Sequence, residues 1–272
     1  MIVKDHFLSQ ENFELIPTEI AGILKTSPIP SDIGKYYESD DYISHNQDEG
    51  SFKQKIYKIA QSFNLNYKRN IVAKETFSGA KILDYGCGAG EFLKYIQEDF
   101  ETFGFEPDAD ARNIAEKKAT RAKIISDINS IKDDSLDAIS LWHVFEHIEN
   151  QEEILDIFYR KLNANGVLII AVPNHTSYDA KYYKEFWAAY DVPRHIYHFS
   201  KNGMKKLFSQ KNWNLEKIKP LLLDSFYISI LSEKYKKNPL FWLKGPILGA
   251  ISNFKAVKND EYSSLIYIIR KK

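Results

Sequence analysis

The chain has 272 residues, of which 44% are hydrophobic and 27% charged, a globular mixture that excludes a disordered chain and leaves room for one large domain or a core with a small appendage. Lys+Arg and Asp+Glu both number 37, so the formal charge is zero. A protein that lives on a phosphate backbone usually carries a basic excess, so no nucleic-acid partner is expected.

The opening residues, Met-Ile-Val-Lys-Asp-His, lack the basic start and apolar run of a signal peptide. No stretch reaches the length of a membrane span; the most apolar, 239–251, is interrupted by Lys244, Gly245 and Pro246. With a single cysteine, Cys87, no intrachain disulfide can form, and the expected location is cytoplasmic. Residues 1–50 read as an irregular lid, with Pro17, Pro28 and Pro30 and a tyrosine-rich run that includes Tyr36, Tyr37 and Tyr42. Tyr42 and His45 are candidate ligand contacts from this lid. Residues 51–75 read as one amphipathic helix, with Phe52, Ile56, Ile59 and Phe63 on a recurring face. The expected division is therefore a lid and helix over 1–75 and a core over 76–272.

From residue 80 strands and helices alternate. Strands are predicted over 81–85, 102–106, 122–126, 136–142 and 167–172, with helices over 91–97, 108–118 and 151–162 between them. Crossovers of this length demand a mostly parallel sheet covered on both faces, an α/β doubly wound fold. A helix over 200–210 and two closing strands, 214–223 and 263–270, complete the chain, with insertions near 175–200 and 226–258.

The first strand runs into Asp84-Tyr85-Gly86-Cys87-Gly88-Ala89-Gly90-Glu91. Glycines at a strand-to-helix turn let the backbone bend sharply and approach a ligand closely. A dinucleotide fingerprint needs a small residue at position 91, where Glu91 stands as a poor neighbour for a pyrophosphate. Glu106 and Pro107 follow the second strand, and a carboxylate there can accept from both ribose hydroxyls. Asp127 and Ile128 follow the third, where the acid can accept from an adenine amino group or simply cap a helix.

On these residues, 80–215 resembles the class I S-adenosylmethionine (SAM) dependent methyltransferases, within the group that includes the ubiquinone-pathway O-methyltransferases. The resemblance implies a seven-stranded sheet with an antiparallel last strand, and SAM as cofactor. It assigns the methionine part to Gly86, Cys87, Gly88 and Gly90, the ribose to Glu106 and Pro107, and the adenine to Asp127 and Ile128. Asp84 orients the turn or the ligand's amino group, and Trp142, at the exit of the fourth strand, lies beside the methionine.

The acceptor side is less determined. His143, Glu146 and His147 leave the fourth strand as His-x-x-Glu-His and admit three readings: a general base, a metal site, or a local helical turn. A similar Glu-x-x-Glu-His run holds a metal in relatives of the resembled group, but His143 replaces its first Glu, so no metal is assigned. Asp191, Arg194, His195 and His198 crowd the loop after the fifth strand, with His195 as a candidate base or a further metal ligand and the others as acceptor contacts, or all as a structural loop in which Asp191 pairs with Arg194 and His198 caps the following helix. The apolar segment from Tyr227 to Phe254, beside Lys234, Lys236 and Lys237, reads as an acceptor cap, a dimer contact, a lipid-facing patch or a solvated helix end. The expected function is methyl transfer to a small-molecule acceptor at oxygen, by a monomer or homodimer. A non-catalytic SAM-binding protein and an NAD-linked oxidoreductase are the alternatives.

Overall fold

The structure, a computed structural model, describes residues 1–37, 52–210 and 212–272. The first of these stretches departs from the irregular or helical lid expected of it. It forms three strands, β1 (Ile2–Lys4), β2 (Asn12–Pro17) and β3 (Ile23–Ser27). These pair antiparallel in the order β1-β2-β3-β9, where β9 (Tyr197–Phe199) comes from the far end of the acceptor loop. The alternation is present but short: Phe13 and Leu15 point inward from β2 while their neighbours face solvent. The Asp5 carboxylate closes the first hairpin by accepting from the backbone N–H groups of Phe7, Leu8 and Ser9. Strands this short cannot stand alone; Val3, Phe13, Leu15 and Tyr36 bury against Trp187, Tyr190 and Val192 of the acceptor loop. That partner lies more than 150 residues away in sequence.

Helix α1 (Phe52–Glu75) leads into the core. The core follows the expected alternation: β4 (Lys81–Tyr85), α2 (Glu91–Ile96), β5 (Glu101–Phe105), α3 (Ala109–Lys118), β6 (Lys123–Ile125), β7 (Leu136–Trp142), α4 (Gln151–Lys161) and β8 (Leu162–Pro173). After β8 come α5 (Tyr178–Tyr183), β9, α6 (Lys201–Ser209) and β10 (Trp213–Pro220). The chain closes with α7 (Asp224–Tyr235), α8 (Phe241–Ala256) and β11 (Ser264–Lys271). The strand order is β10-β11-β8-β7-β4-β5-β6. Pairs β4–β5, β5–β6, β4–β7 and β7–β8 are parallel, and β11 runs antiparallel to both neighbours.

Strand β8 shows why the sheet is covered on both faces. Residues 167–172 are wholly buried. Leu168, Ile170 and Val172 join one cluster with Leu155 and Phe158 of α4 and Met204 and Phe208 of α6. Val167, Ile169 and Ala171 join the other with Ile71 and Val72 of α1 and Phe92 and Ile96 of α2. Each such aliphatic side chain withdrawn from water contributes about 1.5–3 kcal/mol, so a continuous apolar run at this position is strongly favoured. The strand ends β4, β5, β6 and β7 thus present their carboxyl edges side by side.

Candidate cofactor and acceptor site

At the end of β4 the chain turns through Gly86 (φ +76°) and Gly88 (φ +52°), both in the left-handed region that a Cβ disfavours. Their surroundings differ. A Cβ on Gly86 would lie 2.6 Å from the Val144 side chain, whereas one on Gly88 would meet nothing within 4 Å. Gly86 therefore lets the exit of β7 pack against the turn, and Gly88 faces open space. Gly90 is the N-cap of α2.

The turn is sewn to the end of β5. Backbone N–H groups of Gly86 and Cys87 both donate to the Phe105 carbonyl, at 2.7 and 3.0 Å. The Gly88 N–H donates to Glu106 Oε2 (2.9 Å) and the Asp108 N–H to Oε1 (3.0 Å). A carboxylate has about four acceptor positions, so Glu106 keeps capacity for two further donors on its open side. The Pro107 carbonyl accepts from Arg112 Nη1, which holds the outer edge of this corner.

Asp84 is buried under the turn and accepts from Ser140 Oγ at 2.8 Å. Burial pushes its pKa up to about 6. Burial also pushes the Cys87 thiol up to about 12, which makes Cys87 a packing group and not a nucleophile. Asp127 is exposed; its Oδ1 accepts from the Asn129 N–H (2.8 Å) and caps a short 3-10 turn whose first residue, Ile128, is buried. Trp142 meets Phe92 edge-on, with ring centroids 5.4 Å apart, and its buried indole Nε1 has no partner.

Two residues here escaped the sequence reading. Lys68 of α1 sits 4.9 Å from the centroid of the Trp142 ring, where burial pushes its pKa down against the pull of Asp224 and Asp84. Its signal was available: it lies one helical turn before the buried Val72, on the inward side of α1. Asp224 opens α7 and has no local signal; only the closing of the chain brings it to the site.

The acceptor half begins one residue past Trp142. His143 has φ +60°, an uncommon backbone state for a residue with a side chain, held by its N–H to the Ala171 carbonyl (3.0 Å). Its Nε2 lies 2.7 Å from Asp224 Oδ2 and its Nδ1 3.4 Å from Glu146 Oε1. Burial opposes the imidazolium, but the two carboxylates outweigh it and raise the pKa to about 10. His143 is thus a cation near neutral pH, with no lone pair to serve as base or ligand. Glu146 is fully buried; apart from the His143 ring nitrogen at 3.4 Å, its carboxylate oxygens have no hydrogen-bond partner among the described residues. Burial would raise its pKa, but His143 and the neighbouring His195 and His147 hold it below the ordinary range, so it is ionised.

His147 and His195 face this carboxylate, and the backbone sets their tautomers. His147 Nδ1 lies 2.9 Å from the Arg194 carbonyl and 3.0 Å from the Tyr37 hydroxyl. His195 Nδ1 lies 2.9 Å from the Ala189 carbonyl. A carbonyl only accepts, so each Nδ1 carries a hydrogen, and Nε2 is the nitrogen left to exchange a proton or meet a ligand. Burial, reinforced by His195, lowers the His147 pKa to about 4. His195 Nε2 is 4.0 Å from Glu146 Oε1. Among the described residues, one ligand atom each from Glu146, His147 and His195 lie within 4.8 Å of one another. The metal candidate of the sequence reading had His143 in place of His195; His143 instead turns toward Asp224.

The other loop residues point elsewhere. Arg194 is buried and forks onto Asp191 (2.7 and 3.0 Å), with further bonds to Asp5 (3.0 Å) and the Tyr36 carbonyl. It clamps the N-terminal sheet to the loop. Its ion pairs outweigh burial and keep it charged. His198 Nε2 lies 2.9 Å from Thr26 Oγ1, which donates to the His195 carbonyl, and burial drives His198 well below its usual pKa. It does not cap α6, a role taken by Ser200, which accepts from the Gly203 N–H. Tyr42 and His45 lie outside the described residues.

With this geometry in hand, the likenesses to known proteins can be placed. The family model described as a methyltransferase domain matches residues 52–218, more than half the chain. An uncharacterized protein of Methanocaldococcus jannaschii is 27% identical over 61% of this chain and 66% of its own length. Carboxy-S-adenosyl-L-methionine synthase of Campylobacter jejuni is 27% identical over 40% of this chain and 50% of its own. The chain thus spans between half and just under two thirds of the curated relatives it matches. Among solved structures, mycolic acid cyclopropane synthase CmaA1 with bound SAH superposes with a TM-score of 0.53 at 13% identity, over 75% of this chain and 83% of that one. The Haemonchus contortus phosphoethanolamine N-methyltransferase 2 with SAM gives 0.51 at 15%, over 75% and 52%. A glycine turn bonded to the Glu106 carboxylate, a seven-stranded sheet with one reversed strand and the family match agree, and the chain belongs to the methyltransferase-domain family, with the fold of the SAM-dependent enzymes.

Proposed function

We propose that the chain transfers the methyl group of SAM to a hydroxyl of a small-molecule acceptor. The observation that carries the reading is the Glu106 carboxylate, bonded to the Gly88 and Asp108 N–H groups and open beside a turn that leaves free space at Gly88. There it is placed to receive the ribose hydroxyls, with the methionine part over Gly86–Gly90. Asp127 and the buried Ile128 take the adenine end, and Asp84 and Trp142 flank the methionine. Val144, against Gly86, ties this groove to Glu146 and His147 two and three residues on.

In the transfer, the acceptor oxygen forms a bond to the methyl carbon as the S–C bond breaks, and the electron pair stays on sulfur as S-adenosylhomocysteine. The hydroxyl proton goes to a base. His195 fits that role, with Nδ1–H held by the Ala189 carbonyl and Nε2 4.0 Å from Glu146, and such a base contributes roughly 10²–10⁴-fold. The same donors suit a divalent cation, because a buried carboxylate with acceptor positions left over beside His143 faces two imidazoles whose Nδ1–H groups are held by carbonyls. Glu146, His147 and His195 would then hold the ion, which when bound supplies Lewis acidity that makes an acceptor hydroxyl easier to deprotonate.

Calorimetric titration tests both halves. SAM is expected to bind and NAD not; failure of SAM to bind overturns the reading. Manganese or zinc is expected to bind the native chain and not Glu146→Gln; equal binding to both removes the cation from the acceptor site and leaves His195 as base alone.

A further inference from the structure

Helix α8 is apolar on every side, yet only half of it is covered. Its inward residues are small: a Cβ on Gly245 would lie 2.6 Å from the Ile230 Cα, and one on Gly249 2.8 Å from the Phe226 Cα, so α8 seats closely on α7. Its outward face carries Leu243, Ile247, Ile251 and Phe254, spaced four, four and three residues apart and 36–75% exposed. Leu240 and Val257 extend the stripe at its ends, 53% and 68% exposed. A helix that is hydrophobic all round normally lies buried, and a contiguous exposed stripe of this kind marks an interaction surface.

Charge identifies the occupant. Between residues 234 and 259 there are six lysines and not one Asp or Glu. Lys244 is paired with the buried Glu233 at 3.2 Å. Lys234, Lys236, Lys237, Lys255 and Lys258 are exposed around the two ends of the stripe. A two-fold pairing of this face with a second copy would bring lysine-bearing ends together, a like-charge contact that costs energy. An apolar stripe ringed by cations is complementary to a bilayer with anionic headgroups. The stripe also reaches the acceptor half: Asn253 Nδ2 donates to the Leu222 carbonyl at 2.9 Å, two residues before the Asp224 that holds His143. Leu222 itself is 42% exposed, and Ile59 and Phe63 of α1, 70% and 59% exposed, precede Tyr67, whose hydroxyl donates to the Pro220 carbonyl.

We infer that the outward face of α8 docks the protein on an anionic lipid bilayer, with the acceptor side of the site close to the headgroups. This rests on the α7–α8 surface and stands apart from the methyl-transfer reading. The test is co-sedimentation of the full chain with phosphatidylcholine vesicles, with and without phosphatidylglycerol, alongside the sedimentation state without lipid and the fluorescence of Trp242, exposed in the first turn of α8 and isolated from the other three tryptophans as the difference between the native chain and Trp242→Phe. Binding is expected only with phosphatidylglycerol, falling as salt rises, with a blue shift of the Trp242 emission. Ile247→Glu and Phe254→Glu are each expected to weaken it roughly tenfold or more, with an unchanged thermal midpoint. Lys236→Ala is expected to weaken it roughly fivefold. Absence of binding to anionic vesicles overturns the proposal, as does equal, salt-insensitive binding to neutral ones. A dimer without lipid that Phe254→Glu dissociates, together with no vesicle binding, assigns the face to a second copy instead.

Discussion

The cofactor edge and the acceptor loop are built on opposite plans. At the cofactor edge, Asp84, Gly88, Glu106 and Asp127 come from one stretch of chain, and their mutual bonds are to near neighbours or to the adjacent strand. Asp127 is exposed, and Glu106 is only partly buried, with acceptor capacity to spare. In the acceptor loop, Arg194 reaches Asp5, His198 reaches Thr26, His147 reaches Tyr37 and His143 reaches Asp224, so four distant segments converge. There most polar groups are consumed in holding the protein together, and Glu146, His147 and His195 are what remain. The first region is an open edge of a sheet, which we propose as the binding site; the second is a structural joint with three polar side chains left over inside it. Changes in the first should alter affinity with little effect on stability, and changes in the second should do the reverse unless they fall on those three.

The largest test of this contrast is Arg194→Met. It strands the buried Asp5 carboxylate without its partner, and removing one member of a buried pair typically costs about 3–5 kcal/mol. Urea unfolding should show that loss; a change under about 1 kcal/mol would mean the clamp is unimportant and the joint reading is wrong. Next, Glu106→Ala should lower SAM affinity about a hundredfold, the loss of two hydrogen bonds to a charged acceptor, with only a small shift in the unfolding midpoint. A large stability loss with intact affinity would invert the comparison.

Asp84 sharpens it further, because it is buried directly beneath the glycine turn. Its folded pKa, about 6, lies above the ordinary carboxyl value of 3.8, so the folded chain holds the proton more readily than the unfolded one between those values. This group therefore lowers stability above pH 6, and the penalty fades as pH falls from 6 toward 4. Asp84→Asn should raise the stability of the ligand-free chain at pH 7 by about 1–3 kcal/mol. SAM carries positive charge and favours the ionised form, so its affinity should fall as pH drops through about 6 in the native chain and stay flat there in Asp84→Asn. The smallest effect is expected of Asp127→Ala. The residue is exposed and caps a short turn, so about 0.5–2 kcal/mol of stability and a few-fold in SAM affinity are at stake. A loss in affinity as large as that of Glu106→Ala would show that Asp127 does more than cap.

Periodicity and spacing by themselves specified the parallel core, the resemblance added the reversed last strand, and residue type picked out the glycine turn and the Glu106 to which it is bonded. These rest on interactions between residues close in sequence or on adjacent strands, and strands such as β7 appear within the predicted limits, 136–142. The N-terminal sheet was not legible, because strands of three to six residues acquire a buried face only from Trp187, Tyr190 and Val192. Nor could any local pattern say that His143 would be pinned as a cation by Asp224, that Arg194 and His198 would turn inward, or that His195 and not His143 would stand with Glu146 and His147. Those outcomes depend on which desolvated charges find partners across the fold, and pairing of that kind is settled only when distant segments pack against one another.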